Sequence, residues 1–266
     1  MKNKPLSGKN VVVTRPTRQA QELAGLIRAA GGSVILFPVI EILDVEDPRP
    51  LLALVDRLDE FDLAIFISPN AAARAMSLIA ARRPLPPRLK IAAIGTGGVK
   101  ELARFGVRDV IAPARRFDSE ALLDLPPLRF VAGMRVVIFR GGGGREQLER
   151  TLKARGALVE YADCYRRGKT NLDAGPLLRA WSRDELDAIT VTSTEALRNL
   201  FERVGVPGEA WFRKTPVFAP HLRIAEHARG LGVATVIVTG PGDDGILTGL
   251  IEHFKQRAAH ERERHR

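Results

Sequence analysis

Apolar residues in this chain gather in short continuous runs, separated by stretches in which they recur every three or four positions. The runs, rich in β-branched residues, cover 11–14, 34–37, 63–67, 91–94 and 110–111, then 136–139, 158–161, 188–192, 217–218 and 235–238. Continuous runs suit strands buried on both faces of a parallel sheet. The stretches between them include 19–30, 71–81, 146–155 and 195–204, whose spacing predicts amphipathic helices. Glycine follows several helices, at Gly31, Gly106, Gly156, Gly205 and Gly232. Alternating strand and helix predicts doubly wound α/β sheets, with five strands in each half of the chain.

The halves resemble each other at an offset of about 125 residues. Gly8-Lys9-Asn10-Val11-Val12-Val13-Thr14-Arg15 aligns with Gly133-Met134-Arg135-Val136-Val137-Ile138-Phe139-Arg140. The same offset pairs Ala30-Gly31-Gly32 with Arg155-Gly156-Ala157, Phe66-Ile67-Ser68 with Val191-Thr192-Ser193, and Asp118 with Asp243. Two copies of one domain design are expected, with no flexible linker between them. Segments 36–45 and 161–170 look extended beyond ordinary strands and occupy matching places in the copies, where they could carry the chain from one domain to the other.

Composition narrows the class. The 266 residues are 45% hydrophobic and 27% charged, which excludes a disordered or fibrous chain. The longest strongly apolar stretch, 34–43, holds Pro38 and Glu41 and is too short for a membrane span. The amino terminus lacks a signal-peptide core. The single cysteine, Cys164, excludes an internal disulfide and a thiolate metal site, and is expected to be a core residue in a reducing, cytoplasmic setting. Net charge is +10, of which the tail beyond residue 254 supplies +3: Lys255, Arg257, Arg262, Arg264 and Arg266 against Glu261 and Glu263. That tail reads as a frayed, solvated end. The body's remaining +7 points to an anionic partner: nucleic acid, a membrane surface or a polyanionic small molecule.

Ligands of parallel α/β sheets bind beyond the carboxyl ends of the strands. The segments there are Thr14-Arg15-Pro16-Thr17-Arg18, Ser68-Pro69-Asn70, Gly95-Thr96-Gly97-Gly98, Arg140-Gly141-Gly142-Gly143-Gly144-Arg145, Thr192-Ser193-Thr194-Glu195 and Pro220-His221-Leu222-Arg223. Small residues, hydroxyls and exposed N–H groups at helix starts bind anions, and arginine adds fork-like recognition of carboxylates. Each Ser or Thr alone reads first as an ordinary helix cap; the set, repeated in both halves with arginines, favours an anion-binding cleft. Nucleotide motifs fail: Glu146 and Lys100 stand where a dinucleotide fingerprint needs glycine, and Gly168-Lys169-Thr170 lacks a phosphate-loop context. The five histidines are not spaced as a metal set. Tyr165, on an extended segment beside the expected cleft, could donate a proton, but position alone favours a half-buried tyrosine with a wet hydroxyl.

Together, Val11-Val12-Val13-Thr14-Arg15-Pro16, Phe66-Ile67-Ser68-Pro69-Asn70-Ala71, Ile94-Gly95, Arg140-Gly141, Tyr165-Arg166 and Val191-Thr192-Ser193-Thr194-Glu195-Ala196 resemble the uroporphyrinogen-III synthase family, in a match running from Gly8 to Phe254. The resemblance implies two flavodoxin-like three-layer domains with parallel five-stranded sheets, interleaved (swapped), joined by a two-stranded connection, with a substrate cleft between them. It places one domain at 1–37 plus 169–266, the other at 40–165, and the connecting strands near 36–43 and 161–169. The implied reaction closes hydroxymethylbilane, a linear tetrapyrrole with eight carboxylates, to uroporphyrinogen III, losing water and inverting the last ring. It implies no cofactor and no metal, a cytoplasmic monomer without nucleic-acid or membrane partners, and a transient contact with the upstream deaminase. By position, Tyr165 becomes the candidate acid. Thr14, Arg15, Pro16, Ser68, Asn70, Gly95, Arg140, Gly141, Thr192, Ser193, His221 and Arg223 become candidate substrate contacts.

The chain departs from the family twice: Gly98-Val99 stands where Thr-Ala is frequent, and Arg223 where threonine is common. Arg223 is expected to supply a charged carboxylate contact in place of a hydroxyl. A non-catalytic two-domain binder of small anions and a nucleic-acid-associated regulator are the rival readings. The second lacks a helix-turn-helix and interleaved aromatics.

Overall fold

Val11, Val12 and Val13 are each fully buried, as a strand covered on both faces requires. The computed structural model describes residues 4–142 and 146–264. The chain opens with β1 (Asn10–Val13), α1 (Thr17–Ala29) and β2 (Ser33–Leu36). Next come β3 (Ile40–Leu43), α2 (Arg49–Asp56), a short 3-10 turn (Leu58–Glu60), β4 (Leu63–Phe66), α3 (Pro69–Arg82), β5 (Lys90–Ala93) and α4 (Thr96–Arg104). They are followed by α5 (Ser119–Leu123), α6 (Pro126–Arg129), β6 (Arg135–Gly141), α7 (Gln147–Ala154) and β7 (Leu158–Lys169). The last stretch holds α8 (Gly175–Ser182), β8 (Ala188–Thr190), α9 (Thr194–Lys214), β9 (Val217–Ala219), α10 (Leu222–Gly230), β10 (Val236–Val238) and α11 (Gly242–Arg264).

The strands form two five-stranded sheets, ordered β10-β9-β8-β1-β2 and β3-β7-β6-β4-β5. Pairing is parallel from β10 through β2 and from β7 through β5. The chain divides into two compact units, Met1–Glu41 with Gly168–Arg266, and Ile42–Arg167. The divisions fall inside β3 and β7.

Unit 2 shows how period-two alternation builds three layers. Ala64, Phe66, Ile91, Ala93, Val137 and Phe139 face a cluster filled by α2, α3 and α4. Their neighbours Leu63, Ile65, Ala92, Val136 and Ile138 face the other cluster, closed by α5, α6 and α7. In register across β4 and β6, Phe66 and Phe139 stack at 4.8 Å. In unit 1, Val11, Val13 and Phe218 pack under α1 and α11 through Leu23, Ile27, Ile246 and Leu250.

The repeat is visible in backbone detail. Gly31 and Gly156 end α1 and α7 with φ of +92° and +85°, a left-handed conformation that favours glycine. Beyond each, the next N–H reaches back five residues, Gly32 to the Ile27 carbonyl and Ala157 to the Leu152 carbonyl, satisfying carbonyls the helix leaves open.

Three expectations need correction. Segment 110–111 is not a strand of its own: Ile111 makes one isolated parallel bridge to Ala92, and the fifth strand of that sheet is β3. The tail is not frayed, since α11 continues through residue 264, with residues 255–259 exposed. Helix α9 runs past its expected end at 204, broken at Gly205 (φ +57°) and followed by Pro207.

Replacing Phe139 with alanine removes a fully buried ring and its stacking partner's contact. The expected loss in urea unfolding is about 3–5 kcal/mol.

Candidate functional site

At the carboxyl end of unit 2's sheet the register between β6 and β7 slips. Arg140 pairs with Asp163 and Gly141 with Tyr165, leaving Cys164 as an extra residue. A bulge of this kind re-aims side chains, and here consecutive residues Cys164 and Tyr165 both turn inward. The Tyr165 ring lies directly on Gly141: a Cβ there would sit 2.5 Å from the ring's Cζ. Gly142 N–H donates to the Tyr165 carbonyl at 2.7 Å. The phenol is therefore 1% exposed rather than half-buried and wet. Its hydroxyl meets Ser68 Oγ at 3.1 Å.

Ser68 caps α3, its Oγ accepting from Ala71 N–H at 3.1 Å, and Pro69 and half-buried Asn70 form the first turn. Gly95 occupies the same place before α4. The two helix starts are wedged together, since a Cβ on Gly97 would lie 2.8 Å from the Pro69 ring. Gly98 is buried, with its missing Cβ 3.2 Å from that of Ala93, so packing disfavours a threonine there. Two helix N-termini side by side concentrate unsatisfied N–H groups and positive dipole ends.

Arg140, near the end of β6, points to the sheet face that packs against α7, and is 17% exposed. Its Nε–H donates to Asp163 Oδ1 at 2.7 Å, and its guanidinium lies 3.4 Å over the Tyr161 ring. Stacking and latch fix the direction of the guanidinium fork. Burial, reinforced by Glu149, pushes the Tyr161 phenol up to about 12, so it stays neutral. The Cys164 thiol, donating to the Ala162 carbonyl at 3.3 Å, is likewise raised by burial to about 12 and offers no nucleophile. Gly143, Gly144 and Arg145 lie outside the described residues.

Unit 1 repeats the design with different side chains. Thr14 is fully buried, its hydroxyl donating to the Thr190 carbonyl at 2.8 Å, while Thr190 donates to the Val12 carbonyl at 3.1 Å. This brace ties β1 to β8. Arg15 forms an ion pair with Asp243 in the first turn of α11, both side chains largely buried. Pro16 precedes α1, and its carbonyl accepts from Gln19 and Ala20. Ser193 caps α9 by accepting from Ala196 N–H at 3.0 Å, the counterpart of Ser68 and Ala71. Thr192 beside it is half-buried, and the neighbouring Thr194 Oγ1 is buried with no hydrogen-bond partner. His221 opens α10 without a side-chain cap, and both it and Arg223 are exposed.

The structure thus gathers Ser68, Asn70, Gly95, Arg140, Gly141 and Tyr165 at one sheet end, and Thr14, Arg15, Pro16, Thr192, Ser193, His221 and Arg223 at the other. Asp163, Asp243, Phe117 (3.4 Å from a Cβ on Gly95) and the orphaned Thr194 hydroxyl add to these ends. The sequence hinted at two of them, Thr194 through its strand-end segment and Asp243 through the repeat's pairing with Asp118. Among the described residues no three His, Cys, Asp or Glu side chains gather as a metal site, and no helix is long and apolar enough to cross a membrane.

Residues 21–247 match the sequence model of a family described as uroporphyrinogen-III synthase HemD. The uroporphyrinogen-III synthase of Escherichia coli is 33% identical over 244 residues, covering 91% of this chain and 99% of that protein. The uroporphyrinogen-III synthase of Salmonella typhimurium is 34% identical over 249 residues, with the same coverage. Among solved structures, a mutant uroporphyrinogen III synthase of Thermus thermophilus aligns with a TM-score of 0.60 at 21% identity, over 94% of this chain and 99% of that one. Helicobacter pylori uroporphyrinogen-III synthetase aligns at 0.53 and 14% identity, over 90% and 97%. These two structures share the fold of this chain.

Gly141→Ala should push the Tyr165 ring off its seat, costing about 1–3 kcal/mol of stability and breaking the contact with Ser68. Urea unfolding and the near-ultraviolet tyrosine spectrum read both. Cys164 should react with iodoacetamide at pH 8 on the order of a thousandfold more slowly in the native than in the unfolded chain. Because its folded pKa is raised, its contribution to stability is complete below about pH 9 and is lost as pH rises from 9 toward 12, which pH-dependent unfolding checks.

Proposed function

Because the chain belongs to the uroporphyrinogen-III synthase family of tetrapyrrole biosynthesis, we propose that it converts hydroxymethylbilane to uroporphyrinogen III, as a lyase that needs no cofactor. The observation carrying this reading is the family match over residues 21–247, which favours it over a non-catalytic anion binder. The sheet ends suit such a substrate. Its eight carboxylates call for many anion sites, and capped helix starts at Ser68 and Ser193 with the arginine forks of Arg15 and Arg140 are sites of that kind.

The chemistry asks little of any one group. The pyrrole nitrogen pushes out the terminal hydroxyl, breaking a C–O bond, and a proton delivered to that oxygen lets it leave as water. The chain can close unaided without inversion, so the protein's task is to hold the last ring so that its substituted carbon attacks, through a spiro intermediate. We assign proton delivery to Tyr165 acting with Ser68: the phenol is buried, and its hydrogen-bonded Ser68 lies at the α3 N-terminus. Thr14 serves as a buried brace between β1 and β8 that holds the following Arg15 turn in place. Asn70, Gly95, Gly141, Pro16, Thr192, Ser193, His221 and Arg223 supply the remaining backbone and side-chain contacts.

The reading requires both sheet ends to grip one molecule. It also includes an exchange of opening pieces between the repeats. In support, β1 and β2 lie in a sheet with β8, β9 and β10, whereas β6 and β7 lie with β4 and β5. A cytoplasmic monomer that meets the upstream deaminase transiently completes the proposal.

Isomer analysis tests it. Hydroxymethylbilane is incubated with and without protein, the products are oxidised, and type I and type III porphyrins are separated. The expected result is dominant type III only with protein, whereas type I alone in both samples refutes the proposal. Tyr165→Phe should still form type III, with kcat lowered by less than the roughly 10²–10⁴-fold typical of losing a general acid.

A further inference from the structure

A hollow of about 1050 Å³ opens in unit 2 at the amino end of β5, the opposite end of the sheet from Ser68 and Tyr165. Its floor is apolar: Met76, Ile79 and Ile91 are buried, and Leu85 and Phe105 are half-buried beside them. The rim is cationic. Arg82 and Arg83 at the end of α3 are held by Asp56 and Asp59. Arg88, Lys90 and Arg108 are exposed and make no ion pair among the described residues, and Asp109 is the one acid in the lining. Arg83 Nε is buried with no hydrogen-bond partner.

These features select a ligand chemistry. A hydrated inorganic ion leaves the apolar floor uncovered. An uncharged apolar molecule leaves the three unpaired cations Arg88, Lys90 and Arg108 unanswered. An anionic head meets the cations, whose field adds within a concave, low-dielectric wall, while an apolar ring body covers Met76, Ile79 and Ile91. We propose that this hollow is a binding site for a small amphipathic organic anion, a ring-bearing carboxylate or sulfonate, separate from the sheet end that carries Tyr165. It does not depend on the reaction proposed above.

The full chain is titrated with 8-anilinonaphthalene-1-sulfonate, read by fluorescence and by calorimetric stoichiometry. One saturable site per chain is expected, weakened by added salt. Charge reversal in the Lys90→Glu/Arg108→Glu double variant should weaken it tenfold or more, without change in the thermal midpoint or in type III formation. Arg140→Ala should leave the probe's affinity unchanged. Displacement of the probe by a porphyrin carboxylate or by 1-naphthoate supports the site and distinguishes a tetrapyrrole from a smaller aromatic carboxylate. Absence of saturable binding, displacement by neither compound, unchanged affinity on charge reversal, or loss of binding in Arg140→Ala overturns it.

Discussion

The contact between the Tyr165 ring and Gly141 organises the carboxyl end of unit 2. It exists because β7 slips one residue against β6, so that two successive side chains enter the core, and because residue 141 has no side chain to oppose the ring. From that seat the phenol reaches Ser68, the cap of α3, while its own carbonyl receives the Gly142 N–H. Strand β6, strand β7 and helix α3 are thereby fixed relative to one another at the place where a parallel sheet presents its ligands.

Charge is arranged differently from what the net balance suggests. Many arginines are engaged in ion pairs away from the candidate site: Arg82 with Asp56, and Arg135 with Glu60 and Glu160. Arg15 and Arg140, equivalent in the repeat, each carry one acidic partner as well, Asp243 and Asp163. The acids orient the guanidinium groups and lower the local charge at the sheet ends. A body charge of +7 therefore says little about where an anion sits.

Much of this was legible in the sequence because it is local or repeated. The caps at Ser68 and Ser193, the left-handed glycines Gly31 and Gly156, and the β-branched strands all follow from residue type and an offset of 125. What was hidden depends on distant partners. Strand β3 lies within the extended segment 36–45 that the sequence singled out, but its place beside β7 as the fifth strand of that sheet has no local signal, whereas Val110-Ile111 has the right composition and finds only one bridge. Asp243 meets Arg15 across 228 residues. The burial of Tyr165 depends on a one-residue slip that no local signal announces.

The central proposal is that helix starts and arginines at the carboxyl ends of the parallel strands hold the carboxylates of a tetrapyrrole. A crystal structure of the complex with the oxidised product, uroporphyrin III, tests it most directly. The account predicts carboxylates on the backbone N–H groups that begin α3 and α9 and on the terminal nitrogens of Arg140, with Ser68 closer to the macrocycle than Tyr165. A macrocycle bound at the amino ends of the strands, or one that leaves both helix starts empty, would contradict it.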